Sequence, residues 1–369
     1  MKKILFVCNG LIGGGAEKLL NDLLPIIKSR FSCDLFIFSD YNSKYHDSLL
    51  KKGINIYSCP NNSGLFKKTR YLRKRIKQGE YDLIHANLFP AFYICVFATL
   101  FLKNKKHKML LTEHNTTNRR RDHLVLRPFE RWIYSKYYYV VSISEATKAS
   151  LLKWIRPKKD LDKYIVIPNG IDISSFANSK PYPKEIVFSN IKNSDILICL
   201  VGSLTEQKNI FMAIDILHYL PSNYKLVIIG EGELEYELKK YSDELHVSNR
   251  ISFLGFRKDV SRLLKTCDIA LITSKWEGFG LVAVEIMACG IPLVCSNVPG
   301  LSDVVDNAAI KCDLDVHAFS EAIISLNDKK TWRFLSEEEK KRAALFDIKN
   351  TAKQYISLFE NILEIDSND

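Results

Sequence analysis

Two glutamates, Glu277 and Glu285, flank a glycine-containing turn and the start of a short helix in the second half of the chain. The apolar run 269–274 precedes the turn and is typical of a buried parallel strand. The turn contains Gly278 and Gly280, and glycine lets the backbone approach a ligand closely. The first N–H groups of the following helix have no partner inside that helix, so they attract an anion, typically a phosphate.

The two carboxylates suit hydroxyl groups better than they suit an anion. Glu277 lies on the turn, and Glu285 follows eight residues later, about one turn inside the helix. Neither carboxylate would attract a bound phosphate. Each can instead accept hydrogen bonds from hydroxyl groups that lie to its side of the phosphate. A phosphate in the middle with hydroxyl-bearing rings at both ends describes a nucleotide sugar. The segment therefore predicts a nucleotide-sugar site.

The segment EGFGLVAVEIMACGIPLV, residues 277–294, resembles the signature of the retaining glycosyltransferases of family four. In that context the glutamate pair is far more specific than two glutamates at this spacing alone. The resemblance implies an α/β protein of the GT-B fold: two facing Rossmann-like domains with an interdomain cleft, and a C-terminal helix that crosses back to the first domain. It also implies that Glu277 holds donor-sugar hydroxyls and Glu285 the ribose hydroxyls.

The same resemblance implies a reaction. A sugar would move from a nucleoside diphosphate sugar, here a UDP-sugar, to an acceptor hydroxyl with retention of configuration, and without a metal or a cofactor. Backbone N–H groups near Phe279, Gly280 and Leu281 would face the leaving diphosphate, because a helix N-terminus stabilises negative charge.

The start of the chain predicts a Rossmann-type domain. A strand at 3–8 leads through a glycine loop into a helix from about residue 16 to 28 with an apolar stripe. Lys18 occupies the last glycine position of the dinucleotide fingerprint, which disfavours a dehydrogenase. The G-G-A-E run resembles the first loop of the same family, which implies that Gly14 and Gly15 lie under the donor's phosphate and sugar.

Further strands are predicted in the first half, with helical spacing between them, which indicates a parallel α/β sheet. They lie at 33–38, 54–57, 83–86, 109–113, 138–143 and 164–167. Ligands of such sheets collect beyond the carboxyl ends of the strands. The T-E-H-N run there resembles the place where family members carry a histidine beside the donor sugar, which implies that His114 is catalytic together with Glu277. We assign His85, Glu113 and Asn115 to the acceptor side.

The second half repeats the pattern of strand, glycine turn and helix from residue 196 onward. Lys208 is placed where its ammonium could meet a diphosphate. The family usually carries an arginine at the position of Ser203, next to Gly202, so this chain has one cation fewer for the phosphates. Phe256 follows a Gly whose backbone meets the base in relatives, which makes it a candidate for the nucleotide pocket.

The run I-P-N-G-I-D at 167–172 resembles the end of the family's N-terminal half. The predicted organisation is an acceptor domain at 1–176, a linker at 177–193, a donor domain at 194–345 and a returning C-terminal helix at 346–369. Nine scattered cysteines without a C-x-x-C pair favour reduced thiols in a cytoplasmic protein. The longest apolar run, 91–102, is too short to span a membrane and suits a buried or interfacial helix.

Charge separates the two halves. Residues 1–180 carry 32 Lys and Arg against 14 Asp and Glu, a net charge of +18, whereas residues 181–369 carry −7. With the lysine-flanked run 91–102, this favours a protein that docks peripherally on the anionic cytoplasmic membrane surface and takes a lipid-linked glycan acceptor. We expect no nucleic-acid partner, because the basic residues are spread over several helices without a recognised module. A UDP-sugar 2-epimerase of the same fold remains the alternative enzyme.

Overall fold

A computed structural model describes residues 1–100, 102, 107–116, 119–189 and 191–364. The chain divides into two compact units. Unit 1 comprises Met1–Gly170 and the C-terminal segment from Ile348, and unit 2 comprises Ile171–Asp347.

Each unit alternates strands and helices. The strands are β1 Lys3–Cys8, β2 Ser32–Ile37, β3 Asn55–Ser58, β4 Leu83–Asn87, β5 Lys108–Glu113, β6 Tyr139–Ser142, β7 Tyr164–Val166, β8 Ile196–Val201, β9 Tyr224–Ile229, β10 Ile251–Phe253, β11 Ile269–Ile272, β12 Leu293–Ser296 and β13 Ile310–Cys312. The helices are α1 Gly15–Ile27, α2 His46–Lys51, α3 Leu65–Gly79, α4 Ala91–Thr99, α5 Arg127–Ser135, α6 Glu145–Ile155, α7 Ile173–Ala177, α8 Lys184–Val187, α9 Ile210–Tyr219, α10 Glu235–Glu244, α11 Val260–Thr266, α12 Leu281–Cys289, α13 Leu301–Val305, α14 Val316–Ser325, α15 Lys329–Ala343 and α16 Ile348–Leu363.

Both sheets are parallel and share one strand order. In unit 1 the order is β3-β2-β1-β4-β5-β6-β7, and in unit 2 it is β10-β9-β8-β11-β12-β13. In each sheet the order reverses beside the first strand, at β1 and β4 or at β8 and β11. This is the order of a Rossmann-type sheet, and ligands of such sheets bind at the reversal point, beyond the strands' carboxyl ends.

The sheet of unit 1 is covered on both faces by apolar helix stripes. One face packs α1 and α16 around buried side chains such as Phe6 and Phe359. The other face packs α3, α4, α5 and α6 around residues such as Leu72, Phe92 and Tyr134. The C-terminal helix is fixed to unit 1 by polar contacts as well, because Thr351 Oγ1 donates to the Pro168 carbonyl at 2.9 Å.

The predicted fold class is confirmed, and every predicted strand of the first half is present with ends shifted by at most one residue. The second half also follows the predicted alternation, with β11, α12 and β12 around the glutamate pair. The predicted linker 177–193 falls inside unit 2, where Tyr182 OH donates to Asp259 at 2.9 Å. The sequence-based domain limits stay a prediction.

The apolar run 91–102 behaves as core along most of its described length. Phe92, Ile94, Cys95 and Val96 are at most 2% exposed on α4, so these side chains belong to the core of unit 1. Residues 101 and 103–106 of this run and its lysine cluster lie outside the described residues. Among the residues that are described, no helix combines the length and the apolar character needed to cross a bilayer.

Candidate active site

The carboxyl ends of β8 and β11 bring two loops of unit 2 together at the reversal point of its sheet. One loop follows β8 and contains Gly202, Ser203 and Lys208, and the other follows β11 and contains Glu277. Both strands are fully apolar inside the sheet, so their polar side chains begin only where the strands end. The topology thus collects residues that lie about 70 positions apart in sequence.

Glu277 is the centre of this site. Its side chain is 8% exposed, and Lys208 Nζ lies 2.5 Å from Glu277 Oε1. Ser274 Oγ donates to the same oxygen at 2.8 Å, and Ser296 Oγ in turn donates to the Ser274 carbonyl at 2.7 Å. A carboxylate held by a cation and a buried hydroxyl keeps one orientation, which suits it to position a ligand's hydroxyl groups.

The two loops are joined by further hydrogen bonds. Thr273 Oγ1 donates to the Lys208 carbonyl at 2.9 Å, and the Lys275 N–H donates to the Gln207 carbonyl at 2.8 Å. The amide of Gln207 donates to the Trp276 carbonyl at 2.9 Å. The backbone that carries Lys208 is therefore tied to the backbone that carries Glu277.

Helix α12 starts directly after the turn. Gly280, with φ at +88°, precedes its first residue and has no side chain with which to cap it. Phe279 is 4% exposed and packs edge-on against Phe346, with ring centroids 5.4 Å apart, so it anchors the turn in the core of unit 2. Leu281 opens the helix, and Glu285 is 4% exposed on its second turn. Peptide N–H groups at such a helix start are suited to an anion.

The other predicted donor residues of unit 2 line the neighbouring loops. The side chain of Lys208 runs over Gly202, where a Cβ would lie 3.3 Å from Lys208 Cδ. Ser203 is exposed, with its hydroxyl on the loop surface, and Phe256 is half-buried after β10. Lys208 and Ser203 thus belong to the same loop, and Lys208 contacts Glu277.

In unit 1 the carboxyl ends of β4 and β5 bring the predicted histidines together. His114 Nε2 lies 3.3 Å from Asn87 Oδ1, and His114 is 8% exposed. Burial lowers the pKa of His114 to about 4, so its imidazole is neutral at neutral pH. His85 lies deeper, at 1% exposure, and its Nε2 lies 2.7 Å from Thr112 Oγ1. Burial and the neighbouring His114 lower the pKa of His85 to about 3.

Glu113 is a second buried carboxylate at this edge. Tyr134 OH donates to Glu113 Oε2 at 2.6 Å, and the Asn115 N–H donates to Glu113 Oε1 at 3.3 Å. The Asn115 side chain is exposed. The Glu113 carboxylate is therefore used to fix the loop after β5 and the helix α5.

The glycine loop after β1 is closed by Glu17, which ends the G-G-A-E run but for which the sequence patterns predicted no role. Gly14 and Gly15 are exposed at the start of α1, whereas Glu17 is 7% exposed. A Cβ on Gly14 would lie 2.5 Å from Glu17 Oε2, so the Glu17 carboxylate folds back onto the loop. Burial raises the pKa of Glu17 above its ordinary value.

In unit 2, the sequence patterns predicted no site role for Ser274 or Gly300. Ser274 holds Glu277, and Gly300 brings the loop after β12 against the Glu277 turn. A polar residue just after a strand was the only local signal for Ser274. Among the described residues, no group of three or more His, Cys, Asp or Glu side chains is arranged to hold a metal ion.

Replacing Gly300 by alanine is expected to displace Glu277. A Cβ there would lie 2.6 Å from the Glu277 carbonyl and 2.9 Å from the Gly278 carbonyl, and φ at Gly300 is +83°. Backbone atoms cannot yield cheaply, and a shift of about 1 Å in a catalytic group costs on the order of 10²-fold in rate. We therefore expect kcat to fall by about 10–100-fold, together with a lower Tm, in steady-state kinetics and thermal unfolding.

Gly53→Ala is the matched control. Gly53 has φ at +73° but meets only the flexible Lys28 ammonium, so this variant carries the backbone strain of about 1–2 kcal/mol without the steric block. It should lower Tm and leave kcat unchanged. Equal kcat in the wild type and Gly300→Ala would show that the contact with the Glu277 turn has no effect on the reaction.

Comparison with known proteins gives the class of enzyme. The profile of the family described as Glycosyl transferases group 1 matches residues 182–344, and that of Glycosyltransferase Family 4 matches residues 13–175. The two profiles together cover most of the chain, which is therefore a group 1 glycosyltransferase with the GT-B fold. This favours glycosyl transfer over the epimerase and dehydrogenase alternatives.

Individual relatives match different shares of this chain. A UDP-Gal:alpha-D-GlcNAc-diphosphoundecaprenol alpha-1,3-galactosyltransferase of Escherichia coli is 31% identical over 47% of this chain, which is 48% of the relative's own length. An N-acetylgalactosamine-N,N'-diacetylbacillosaminyl-diphospho-undecaprenol 4-alpha-N-acetylgalactosaminyltransferase of Campylobacter jejuni is 25% identical over 94% of this chain and 96% of its own. The structure of Anabaena HepE in complex with UDP-glucose superposes with a TM-score of 0.85 at 22% identity, covering 98% of this chain and 100% of that one.

Proposed function

We propose that this chain is a retaining glycosyltransferase that moves a sugar from a UDP-sugar to a hydroxyl of a lipid-linked glycan acceptor. The observation that carries the proposal is the Lys208–Glu277–Ser274 cluster beside the uncapped start of α12. A cation and peptide N–H groups suit the diphosphate, and two buried carboxylates suit the hydroxyls of a sugar and a ribose. The relatives named above act on acceptors linked to diphospho-undecaprenol, which supports a lipid-linked acceptor in bacterial cell-surface polysaccharide synthesis.

In the proposed reaction the bond between the sugar's anomeric carbon and the diphosphate oxygen breaks, and a bond to the acceptor oxygen forms on the same face. The proton of the acceptor hydroxyl passes to the leaving diphosphate. Lys208 and the N–H groups near Gly280 and Leu281 stabilise the negative charge that develops on the leaving group. The residues proposed for this step need no metal or cofactor.

We assign the hydroxyls of the donor sugar to Glu277 and those of the ribose to Glu285. We assign a neutral imidazole contact with the sugar to His114, whose lowered pKa keeps it uncharged beside a ring that gains positive charge. We also assign Gly14 and Gly15 of unit 1, and Gly202, Ser203 and Phe256 of unit 2, to donor binding. We assign Glu113 and Asn115 to the acceptor side. His85 belongs to the same side and supports the end of β5 through its contact with Thr112.

A thermal-shift titration with UDP-sugars tests the donor assignment. A ligand that binds only the folded state raises Tm, because it stabilises that state. At a ligand concentration of 100 times its Kd, the free energy of unfolding rises by about 2.7 kcal/mol. We expect one UDP-sugar to raise the Tm of the wild type and to leave that of Glu285→Ala almost unchanged. Glu237→Ala, a change of an exposed acidic side chain of α10, is the control. An equal shift in the wild type and Glu285→Ala would contradict the ribose assignment.

We also propose that unit 1 docks peripherally on the anionic cytoplasmic face of a membrane, through the outer face of α3. Leu65 and Phe66 on this helix are 56% and 82% exposed, and Lys67, Arg70 and Lys74 beside them are exposed as well. Exposed apolar side chains among cations match a bilayer with anionic headgroups, where each cation near the surface contributes about 1 kcal/mol.

Vesicle sedimentation tests this docking surface. Binding to phosphatidylcholine vesicles should rise when phosphatidylglycerol is added and fall as salt is raised. Lys67→Glu with Lys74→Glu should abolish the anionic preference, whereas the exposed pair Lys329→Glu with Lys330→Glu in unit 2 should preserve it. Equal binding of the wild type to neutral and anionic vesicles would refute the docking.

A further inference from the structure

Three arginines of unit 1 form a recessed group that we call the arginine cluster: Arg120, Arg121 and Arg127. The first two belong to the 3-10 helix Arg119–Asp122, and the third opens α5. The side chains of Arg120 and Arg121 are only 16% and 10% exposed. A guanidinium does not lose its proton in a protein, so this region holds permanent positive charge that is largely withdrawn from water.

Several guanidinium N–H groups of the arginine cluster make no hydrogen bond to the described residues. Arg121 Nη1 donates to the Thr116 carbonyl and to Ser150 Oγ, both at 2.8 Å. Within the described part of the chain, Arg120 Nη1, Arg121 Nε and Arg127 Nε are buried without an acceptor, whereas Arg120 Nε and Arg121 Nη2 have only ion-pair contacts with carboxylates. A buried donor without an acceptor carries the full cost of desolvation, so such a group of donors suits a ligand rich in acceptors.

Two nearby carboxylates compensate part of this charge, and each of them also accepts hydrogen bonds from other groups. Glu130 is fully buried and lies 3.1 Å from Arg120 Nε, but it accepts hydrogen bonds from Tyr93 OH and from Trp154 Nε1. Glu113 Oε2 lies 3.7 Å from Arg121 Nη2 and accepts the bond from Tyr134 OH. Arg120 and Arg121 thus pair with one carboxylate each. The Arg127 guanidinium instead lies over the Trp154 ring, 5.1 Å from its centroid, and has no carboxylate partner among the described residues.

We propose that the arginine cluster binds the diphosphate of the lipid-linked acceptor. The proposal rests on the proposed function, since it names the acceptor group that unit 1 would hold. A diphosphate offers several anionic oxygens in the geometry that guanidinium forks bind in pairs. The cluster lies beside Glu113, at the carboxyl end of β5, where ligands of a parallel sheet collect.

The degree of burial separates this site from the docking surface on α3. Bilayer headgroups meet side chains that project from a protein, as Lys67 and Lys74 do. Arg120 is instead held with its guanidinium carbon 3.9 Å from the centroid of the Phe89 ring. A recessed cation stacked on an aromatic ring is suited to one group that enters the site, here the diphosphate of a single acceptor.

Calorimetric titration of the full chain with inorganic pyrophosphate tests the proposal. UDP is added first to saturation, so that the donor site around Lys208 is filled, and pyrophosphate follows. We expect the wild type to bind pyrophosphate under these conditions, and Arg121→Gln to weaken this binding at least tenfold while UDP binding stays unchanged. Arg333→Gln, a change of an exposed arginine in unit 2, should alter neither titration.

A second variant guards against a folding defect. Arg120→Gln with Glu130→Gln removes both charges of the ion pair, so it should also lose pyrophosphate binding while Tm falls less than in Arg120→Gln alone. Absence of pyrophosphate binding in the wild type, or equal binding in Arg121→Gln, would overturn the proposal. Loss of sedimentation with anionic vesicles in Arg121→Gln, at unchanged pyrophosphate affinity, would overturn it in favour of a headgroup site. Failure of the proposed function would show earlier, as absence of UDP binding in the first titration.

Discussion

Glu277→Gln is expected to lower kcat by about 10²–10³-fold, which corresponds to about 3–4 kcal/mol of transition-state stabilisation. The substitution keeps the shape of the side chain but removes the charge that Lys208 and Ser274 hold in place. An amide accepts hydrogen bonds from sugar hydroxyls less strongly than a carboxylate does. Steady-state kinetics with a UDP-sugar and its acceptor measure the effect.

The same variant should separate catalysis from nucleotide binding. Without the Glu277 charge, the ammonium of Lys208 is a stronger partner for phosphate, so UDP affinity in Glu277→Gln should equal or exceed that of the wild type. Glu206→Gln is the matched control, since Glu206 lies on the facing loop, is 75% exposed and pairs only at the surface with Lys275. A wild-type kcat in Glu277→Gln would remove this residue from the catalytic machinery.

Lys208→Met is expected to weaken UDP binding by about 10–100-fold and to lower kcat/KM by at least as much. The substitution removes the cation proposed for the diphosphate, and hydrogen bonds to charged groups contribute about 1.5–3 kcal/mol. It also leaves the Glu277 carboxylate, which is 8% exposed, without its ion-pair partner, so Tm should fall. Calorimetric titration with UDP and thermal unfolding measure the two effects separately.

Two further variants show whether the loss of UDP affinity and the loss of Tm have separate causes. In Lys208→Met with Glu277→Gln no buried carboxylate is left unpaired, so Tm should recover while UDP affinity stays low. Lys275→Met, a change of the neighbouring surface lysine, should leave both quantities unchanged. Recovery of UDP binding in the double variant would show that Lys208 serves Glu277 alone and not the diphosphate.

The fold was predictable from the sequence because each local signal agreed with its neighbours. The segment 269–296 contains an apolar run, a glycine turn, a helical stretch and the helix-ending sequence Gly-Ile-Pro. Together these signals mark where β11, α12 and β12 begin and end. The run 91–102 was ambiguous, since periodicity alone does not separate a buried helix from an interfacial one. Only the packing of α4 against its sheet shows that most of its apolar side chains are core.

The contacts that orient the site could not be predicted in the same way. Lys208 and Glu277 lie 69 positions apart, and their pairing depends on β8 and β11 being neighbours in the sheet. The role of Gly300 depends on the carbonyl of Glu277 approaching it from another loop. Arg120 and Arg121 look like solvated surface cations in the sequence, and their recessed position becomes visible only with Phe89, Glu113 and Glu130 around them.

A crystal structure of the chain with bound UDP tests the central claim most directly. The account predicts that a diphosphate oxygen lies about 3 Å from Lys208 Nζ, that the N–H groups at the start of α12 face the phosphates, and that Glu285 accepts hydrogen bonds from the ribose. UDP bound with no contact to Lys208 or to the segment 277–285 would contradict the account.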